Sequence, residues 1–377
     1  MKIGFDAKRA FNNHTGLGNY SRMLIEAMFK HHPEHQYSLF TPQHKAEFAD
    51  WANRLGVHAE VHTPAKRAHR IFHPYWRSYR MAHQMSVEKL DLYHGLSHEL
   101  PLGLAGKDIA GIVTVHDLIF LRYPKLYPRL DRYFYKRKYE RSCHDADHIV
   151  AISQQTADDV VDFFGIPEAK ISVIYQDCAP VFKQTASIET DAELLKELGI
   201  QSGYIFAVGT IETRKNQLKL LEAYAQLPED RPQLILAGRK TSYWKQLFQF
   251  IQKNQLEKEV IALEQLSAVQ LAALYRNAVF TAYISVFEGF GLPVLESIAC
   301  GSPVLAANSS CLEESGGNAA LYANPLDAES IAMQMRRLLY DESCYEEVKN
   351  ACAEQAARFS EKSMANELNA LYLRYKV

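Results

Sequence analysis

Residues 283–304 read YISVFEGFGLPVLESIACGSPV, and this stretch decides how the fold is interpreted. The run 279–285 is short and mostly apolar, as in a buried strand, and another such run occupies residues 303–306. Between them, Pro293 suits the first position of a helix and Gly301 suits the left-handed residue just past a helix end. The stretch therefore predicts a strand, a glycine loop, a helix and a second strand, which is the repeating unit of a parallel α/β sheet.

The same alternation runs through almost the whole chain, so the predicted fold class is α/β with two Rossmann-like domains. The predicted strands are residues 2–6, 36–41, 57–62, 91–94, 109–115, 148–152 and 171–174 in the first half, and 204–209, 233–237, 260–263, 279–285 and 303–306 in the second. The polar segment 183–192 is interpreted as a hinge, which gives domains at 1–182 and 193–359. A helix at about 360–377 has no following strand to serve, and we expect it to pack back on the first domain.

The composition is that of an ordinary globular protein of 377 residues, with 47% hydrophobic and 23% charged residues. A net charge of −2 provides no overall field that would recruit nucleic acid. The six cysteines lie far apart without metal-ligand spacing, which favours free thiols in a reducing cytoplasm. No stretch reaches the ~18 apolar residues of a membrane helix, and the first residues are typical of a strand rather than a leader. We therefore expect a cytoplasmic protein, with at most a peripheral contact at the inner face of the membrane.

The glycine loop in the opening stretch is suited to an anion. Gly289 and Gly291 would expose backbone amides beside the positive end of a helix dipole, which together favour a diphosphate. Carboxylates repel phosphates, so Glu288 and Glu296 would instead accept hydrogen bonds from sugar and ribose hydroxyls. The alternative is a plain turn with solvated glutamates.

A basic turn follows the first strand of the second half. Thr210 comes directly after the strand, and Arg214 and Lys215 follow before the next helix. Cations at the carboxyl edge of a parallel sheet can neutralise a departing diphosphate. The alternative is a solvated turn without a ligand.

The first half contains a second glycine loop, with Gly16 and Gly18 before a helix. It departs from the dinucleotide fingerprint because Ser21 stands at the third glycine position, so a nicotinamide enzyme is not expected. A mobile loop that caps a ligand is the preferred interpretation, and a flexible helix start is the alternative. His116 and, with less weight, His94 end predicted strands and could bond sugar hydroxyls or shuttle a proton, although strand-capping histidines are common.

Two basic stretches, residues 66–80 and 122–141, interleave cations with aromatic side chains. Such a surface can lie on an anionic membrane or hold a phosphorylated lipid acceptor, and a solvated helix with inward aromatics is the alternative. Asp145 and Asp147 imitate the Asp-x-Asp pair of metal-dependent glycosyltransferases, but they directly precede a strand and are interpreted as a solvated junction. No metal site is expected.

Taken together, these motifs resemble the retaining GT-B glycosyltransferases of sequence family four. The resemblance rests on EGFGLPVLE at 288–296, on residues 209–216, on Val115-His116-Asp117 and on Gly16-Leu17-Gly18. It implies two Rossmann-like domains with parallel sheets facing a central cleft. The residues that it implies for nucleotide-sugar binding are Gly16, Gly18, Gly209, Thr210, Arg214, Lys215, Glu288, Gly289, Phe290, Gly291, Leu292 and Glu296.

The resemblance also implies roles in the reaction. Glu296 would accept from the ribose, Glu288 would contact the donor sugar, and Lys215 with Arg214 would hold the diphosphate. The catalytic set would be Glu288, His116, Lys215 and Arg214, with His116 beside the transferred sugar. Thr210 departs from the family, since many members carry arginine there, and Arg214 is expected to supply that guanidinium.

The sequence of residues 212–216 resembles the corresponding segment of mannosyltransferases of bacterial polysaccharide assembly. We expect transfer of a hexose, first mannose, from a nucleotide diphosphate sugar to a glycan or lipid-linked acceptor. GDP-mannose is the first expected donor and a UDP-sugar the second, with no metal and no cofactor. The alternatives are another GT-B enzyme, such as a sugar-nucleotide epimerase or a phosphorylase, and a non-catalytic sugar-nucleotide-binding protein.

Overall fold

A computed structural model describes residues 1–55, 59–64 and 75–376, apart from the side chains of Ser78, Tyr79 and Ile188. The chain divides into two compact units, Met1–Asp177 with Ser360–Val377, and Cys178–Phe359. Each unit contains one parallel sheet covered by helices. The predicted α/β class with two Rossmann-like sheets is therefore confirmed.

The sheet of the first unit has seven parallel strands in the order β3-β2-β1-β4-β5-β6-β7. The strands are β1 Lys2–Asp6, β2 Gln36–Phe40, β3 Ala59–His62, β4 Leu92–Gly95, β5 Ala110–Val115, β6 His148–Ala151 and β7 Ile171–Val173. The helices are α1 Lys8–Asn12, α2 Gly16–His31, α3 Ala49–Leu55, α4 Met81–Val87 (preceded by a π-helical turn at Trp76–Arg80), α5 Ile119–Arg122, α6 Arg129–Asp145 and α7 Gln154–Phe164. The strand order reverses between β1 and β4, which is where open α/β sheets form a ligand crevice.

The sheet of the second unit has six parallel strands in the order β10-β9-β8-β11-β12-β13. The strands are β8 Tyr204–Val208, β9 Leu234–Ala237, β10 Val260–Leu263, β11 Ala278–Tyr283, β12 Val304–Ala307 and β13 Ala320–Ala323. The helices are α8 Ile188–Glu197, α9 Gln217–Tyr224, α10 Trp244–Lys253, α11 Ala268–Asn277, α12 Leu292–Ala299, α13 Leu312–Gly316, α14 Ala328–Tyr340 and α15 Glu342–Ala357. Here the strand order reverses between β8 and β11.

Burial explains why the central strands lack an alternating pattern. Every residue of β4, β6, β9 and β12 is buried. Parallel sheets have helices on both faces, so their strands are apolar at successive positions. Strand β13 was not predicted, because its sequence ALYA is rich in alanine, which has little strand propensity.

The last helix, α16 (Glu361–Leu373), belongs to the first unit and packs on α2. The hydroxyl of Tyr372 lies 2.7 Å from His94 Nδ1, and the backbone N–H of Glu361 donates to Asp177 Oδ2 at 2.9 Å. The chain therefore starts and ends in the same unit.

The segment 183–192, which is predicted to be a hinge, contains the start of a helix. A 3₁₀ turn covers Pro180–Lys183, and α8 begins at Ile188 with Ser187 as its N-cap. Asp191, in the first turn of α8, pairs with Arg276 at 2.6 Å. The segment is polar because it contains a helix cap and acidic first-turn residues, both of which stabilise a helix N-terminus.

Candidate functional site

The carboxyl ends of β8 and β11 carry the candidate site, at the strand-order reversal of the second unit. After β8 the chain forms a 3₁₀ turn at Thr213–Lys215 and enters α9 through Asn216, whose φ of 61° is left-handed. After β11 it continues into the loop before α12, and Val286 N–H in this loop donates to Arg214 C=O at 2.9 Å. Two segments about 70 residues apart in sequence are thus joined at one sheet edge.

Glu288 is the centre of the polar network. Its Oε1 lies 2.7 Å from Lys215 Nζ and 2.7 Å from Arg214 Nη1, and it also accepts from the Ser285 hydroxyl. The residue is only 9% exposed. Burial alone would raise the pKa of Glu288, but the charges of Lys215 and Arg214 outweigh it and lower the pKa to about 2. Glu288 is therefore ionised at neutral pH and shared by two cations.

Lys215 and Arg214 are each fixed by further contacts. Lys215 Nζ donates to the Tyr283 hydroxyl and lies 4.8 Å from the centre of the Tyr283 ring. Arg214 donates to Phe287 C=O at 2.8 Å and to Glu212 Oε1 at 2.9 Å. Because these partners lock both cations in place, the two positive charges are preorganised at the sheet edge.

Gly209 and Thr210 form the start of the turn that carries these cations. A Cβ on Gly209 would lie 3.4 Å from Lys215 Cε, and the φ of Gly209 is +126°. The side-chain amide of Gln217 donates to Thr210 C=O at 3.0 Å, which ties the turn to α9. Thr210 has no guanidinium, whereas Arg214 does reach Glu288, the same carboxylate that Lys215 binds.

The glycine loop enters α12 through Gly291, as the sequence predicts. Gly291 has a φ of +88°, a left-handed conformation that favours glycine, and a Cβ there would also lie 2.5 Å from Leu312 Cδ2. Gly289 and Leu292 are half-buried. The ring of Phe290, in contrast, is buried against Phe359 at 5.6 Å between centroids. The side chain of Phe290 therefore packs in the core of the second unit.

Glu296 lies one turn into α12 and is half-buried. Its Oε2 accepts a hydrogen bond from the Tyr275 hydroxyl at 2.9 Å. Burial raises the pKa of Glu296 to about 7, and the Tyr275 hydrogen bond and the Lys215 charge offset this only in part. The ring of Tyr275 is fully buried and packs edge-on against Phe206 and Phe182.

Sequence reasoning missed three residues of this network: Tyr275, Tyr283 and Ser285. Tyr283 and Ser285 lie in the stretch that predicted the loop, at the end of β11, so their position was a usable signal. Tyr275 lies in α11, and nothing local distinguishes it from a core tyrosine.

In the first unit, Gly16 and Gly18 lie in the first turn of α2 rather than in a free loop. A Cβ on Gly18 would meet the Asn13 carbonyl oxygen at 1.9 Å, whereas nothing lies within 4 Å of one on Gly16. A side chain at position 18 would therefore clash with the backbone of Asn13. Gly16 and Gly18 begin a helix rather than form the mobile loop that was expected.

His116 follows β5 and is 5% exposed. Its Nε2–H donates to Leu96 C=O at 2.8 Å, and the Tyr20 ring lies 4.6 Å away, edge-on. Burial lowers the pKa of His116 to about 4, so the ring is neutral at pH 7. His94 is bonded to both Tyr372 and Thr114, and burial lowers its pKa to about 3. His94 is thus a structural link to α16, which corrects its candidate role.

Much of the first basic stretch, residues 65–74, lies outside the described residues. Within the described part, Arg77 is half-buried and bonded to Asp6 and Glu99, so it is not a free surface cation as expected. Arg122, in the second stretch, is likewise bonded to Asp159.

The Asp-x-Asp pair lies at the end of α6, where Asp147 accepts from Gly111 N–H at 2.7 Å. Within the described ranges, the one group of side chains close enough to share a metal ion is Glu60, His62 and Glu88, which does not include this pair. No helix in the described part of the chain is both long and apolar enough to cross a bilayer.

Two family models match the chain in succession. One, described as Glycosyltransferase Family 4, matches residues 14–176, and the other, Glycosyl transferases group 1, matches residues 192–359. The chain thus contains one region similar to each of these two models in succession and is a glycosyltransferase, as its motifs predicted.

Similar proteins include O-antigen chain mannosyltransferase B of Escherichia coli, which is 29% identical over 99% of this chain and 100% of the relative. Serotype-specific mannosyltransferase WbdA of Escherichia coli is 31% identical over 66% of this chain, and the match spans 31% of WbdA. Among solved structures, Anabaena Alr3699/HepE in complex with UDP has a TM-score of 0.76 at 19% identity, covering 98% of this chain and 99% of that one. WaaG, a glycosyltransferase involved in lipopolysaccharide biosynthesis, has a TM-score of 0.72 at 14% identity, covering 99% of both chains. The fold is GT-B.

Proposed function

We propose that this glycosyltransferase transfers mannose from GDP-mannose to a glycan or lipid-linked acceptor during assembly of a bacterial surface polysaccharide. The support for mannose is the similarity along its whole length to an O-antigen chain mannosyltransferase. The transfer would retain the configuration of the anomeric carbon and need no metal ion. All six cysteines are free thiols, which is consistent with work in a reducing cytoplasm.

The observation that carries the proposal is the sharing of one carboxylate oxygen by Lys215 and Arg214. Glu288 lies between the two cations, and Glu212 pairs with Arg214 on another of its nitrogens. A diphosphate in contact with Lys215 would be stabilised by the lysine ammonium group and by the N-terminus of α12. A bound metal ion is not needed for that stabilisation, because the two side chains already supply the positive charge.

Electrostatic stabilisation is needed most when the bond between the sugar and the diphosphate of the donor breaks. The acceptor hydroxyl oxygen forms a bond to the anomeric carbon, and the bond from that carbon to the diphosphate oxygen breaks with its electron pair on the phosphate. The acceptor proton passes to a phosphate oxygen. The enzyme's main contribution would be to stabilise the charge that develops on the diphosphate, through Lys215 and Arg214.

Glu288 and Glu296 would select the rest of the donor. Glu288 would accept from a hydroxyl of the sugar while it orients the two cations, and Glu296 would accept from the ribose. Tyr275 would hold the Glu296 carboxylate in position through its 2.9 Å hydrogen bond. His116, neutral and bonded to Leu96, would be a hydrogen-bonding group rather than a proton shuttle. Gly16 and Gly18 would offer backbone at the start of α2.

The first test is a thermal-shift panel of GDP, GDP-mannose, UDP and UDP-sugars, because a ligand that binds only the folded state raises the melting temperature. We expect the guanine nucleotides to give the largest shifts. The donor that binds is then incubated with mannose-containing oligosaccharide acceptors, with and without EDTA, and the product's anomeric configuration is read by proton NMR. Retained configuration and an EDTA-resistant rate are expected.

The outcomes separate the alternatives. Conversion of a sugar nucleotide without any acceptor would indicate an epimerase, and a requirement for inorganic phosphate would indicate a phosphorylase. Tight donor binding without transfer across the acceptor panel would favour a non-catalytic binding protein. A larger shift with UDP than with GDP would overturn GDP-mannose as the donor.

A further inference from the structure

The loop that carries Glu288 is held in place by a second loop, which follows β12. This second loop contains Ser309, Ser310 and Cys311, and α13 begins directly after it at Leu312. Because β12 is paired with β11 in the parallel sheet, its carboxyl end lies at the same edge as the candidate site. The 309–311 segment has no charged side chain, so it acts on the site through hydrogen bonds and packing.

Three hydrogen bonds fix the main chain around Glu288. The Glu288 N–H donates to the Ser310 hydroxyl oxygen at 3.2 Å, and the Cys311 thiol donates to Glu288 C=O at 3.2 Å. Upstream of Glu288, the Ser309 hydroxyl donates to Val286 C=O at 3.0 Å. The peptide groups on both sides of the Glu288 Cα are therefore held, and with them the direction in which the side chain leaves the backbone.

The Cys311 thiol is suited to this contact because it keeps its proton. Cys311 is fully buried, and burial raises the pKa of its thiol well above the ordinary value. The S–H group is therefore present at neutral pH as a donor to the Glu288 carbonyl oxygen. A thiol is a weak donor, so the two serine hydroxyls supply the stronger contacts.

Ser310 has an unusual main-chain conformation for a residue with a side chain. Its φ of 57° lies in the left-handed region, which favours glycine and costs folding free energy for other residues. Such conformations persist where the surrounding structure imposes them, and they cluster at functional sites. Here the left-handed residue carries the Oγ that accepts from Glu288 N–H. Glycine would relieve the backbone but would remove this acceptor.

The Glu288 carboxylate has little freedom to move without losing its partners. One oxygen, Oε1, lies 2.7 Å from Lys215 Nζ and 2.7 Å from Arg214 Nη1. Both cations are also bonded to other groups, Lys215 to the Tyr283 hydroxyl and Arg214 to Phe287 C=O. A rotation of the main chain at Glu288 would therefore separate the carboxylate from the two cations.

We propose that Ser310 is a positioning residue, which holds the Glu288 main chain so that the carboxylate orients Lys215 and Arg214. Ser310 acts through Glu288 rather than through contact with a substrate. The assignment rests on the proposed function, in which the two cations stabilise the departing diphosphate. Because that stabilisation is needed most in the transition state, loss of the Ser310 hydroxyl should lower kcat rather than raise KM.

The test variant is Ser310→Gly, because it removes the hydroxyl and retains the main-chain conformation. Its melting temperature should stay within about 2 °C of the wild type, since glycine adopts a left-handed φ without steric cost. Amide-exchange mass spectrometry of residues 285–291 should show exchange at Glu288 that is faster by about three- to tenfold, as expected from one lost hydrogen bond. With the donor that the thermal-shift panel identifies, kcat for transfer should fall by a similar factor, while the donor KM and the GDP dissociation constant stay within about twofold.

The matched control is Gln255→Gly, which replaces another non-glycine residue that has a left-handed φ, in this case 56°. Gln255 is exposed and lies in the turn between α10 and β10, at the opposite edge of the sheet from the candidate site. This variant should match the wild type in kcat and in the exchange of residues 285–291. It separates the loss of the Ser310 hydroxyl from the general effect of introducing a glycine.

Three results would overturn the assignment of Ser310. The first is unchanged exchange at Glu288 in Ser310→Gly, and the second is faster exchange with a kcat within about twofold of the wild type. The third is a melting temperature that falls together with kcat, as for a merely structural residue, or a control that loses as much activity. Exchange is measured without substrate, so faster exchange at Glu288 in a protein whose wild type transfers no sugar would overturn the proposed function and support the contact made by Ser310.

Discussion

Replacing Glu288 by glutamine should weaken folding and strengthen diphosphate binding at the same time. The amide keeps the size of the side chain but removes the charge that Lys215 and Arg214 share. A pKa lowered from 4.5 to about 2 corresponds to about 3 kcal/mol of folding free energy at neutral pH. For a carboxyl with a lowered pKa, this stability is present above about pH 4.5 and is lost as the pH falls towards 2.

The effect on ligand binding has the opposite sign. A phosphate oxygen in contact with Lys215 would lie about 5.5 Å from Glu288 Oε1, where two like charges repel by about 3 kcal/mol at an effective dielectric constant of 20. Removing that repulsion should tighten GDP binding by at least about tenfold, even after solvent screening. GDP lacks the sugar, so the lost sugar contact does not enter this comparison.

Two assays check the prediction. Differential scanning fluorimetry should show a fall of about 6–12 °C for the ligand-free Glu288→Gln variant, at 2–4 °C per kcal/mol. Isothermal titration calorimetry should show tighter GDP binding. Glu212→Gln is the matched control, because Glu212 also bonds Arg214 but is partly exposed, and it should change either quantity little. GDP binding that is unchanged or weaker in Glu288→Gln would refute the reasoning.

Four further predictions rest on the contacts of individual residues. Lys215→Met should lower kcat by about 10²–10³-fold with a smaller effect on donor affinity, measured by single-turnover transfer, and equal losses in both would contradict a transition-state role. The affinity for GDP-mannose should rise as the pH increases through about 7, because Glu296 ionises and can then accept a hydrogen bond from the ribose. Glu296→Gln should flatten this pH profile. Tyr275→Phe should raise the KM for the donor about fivefold with little change in kcat. A KM unaffected by the loss of the Tyr275 hydroxyl would remove it from donor positioning. Arg77→Met should destabilise the first unit by about 3–5 kcal/mol in urea unfolding because Asp6 is left buried and unpaired, whereas Arg80→Met, at an exposed position, should change stability by less than about 0.5 kcal/mol.

The fold could be predicted from the sequence because the patterns that mark strands and helices are local. Apolar runs with intervening helical periods predicted most strands of both sheets, and Pro293 and Gly301 predicted the bounds of α12 closely. The start of α8 was not predicted, because a helix cap followed by acidic residues has the same composition as a polar linker. The strand β13 failed because its alanines give no strand signal.

For the candidate site, the sequence predicted the positions of the charged residues but not the side chains that form hydrogen bonds with them. Arg214 and Lys215 lie in the turn that follows β8 and Glu288 lies in the loop that follows β11, and parallel topology brings these segments to one edge of the sheet. Tyr275 is brought to Glu296 by the packing of α11 on α12, and no spacing rule within one segment predicts that contact. The opposite error occurred at Arg77, where a basic stretch concealed a residue bonded to two buried or half-buried acids.

A crystal structure of the protein with GDP bound would test the proposed diphosphate site most directly. We expect the β-phosphate within hydrogen-bonding distance of Lys215 Nζ and beside the N-terminus of α12, with the ribose hydroxyls at Glu296. A nucleotide bound elsewhere, with Lys215 and Arg214 still held on Glu288 and no phosphate near them, would contradict it.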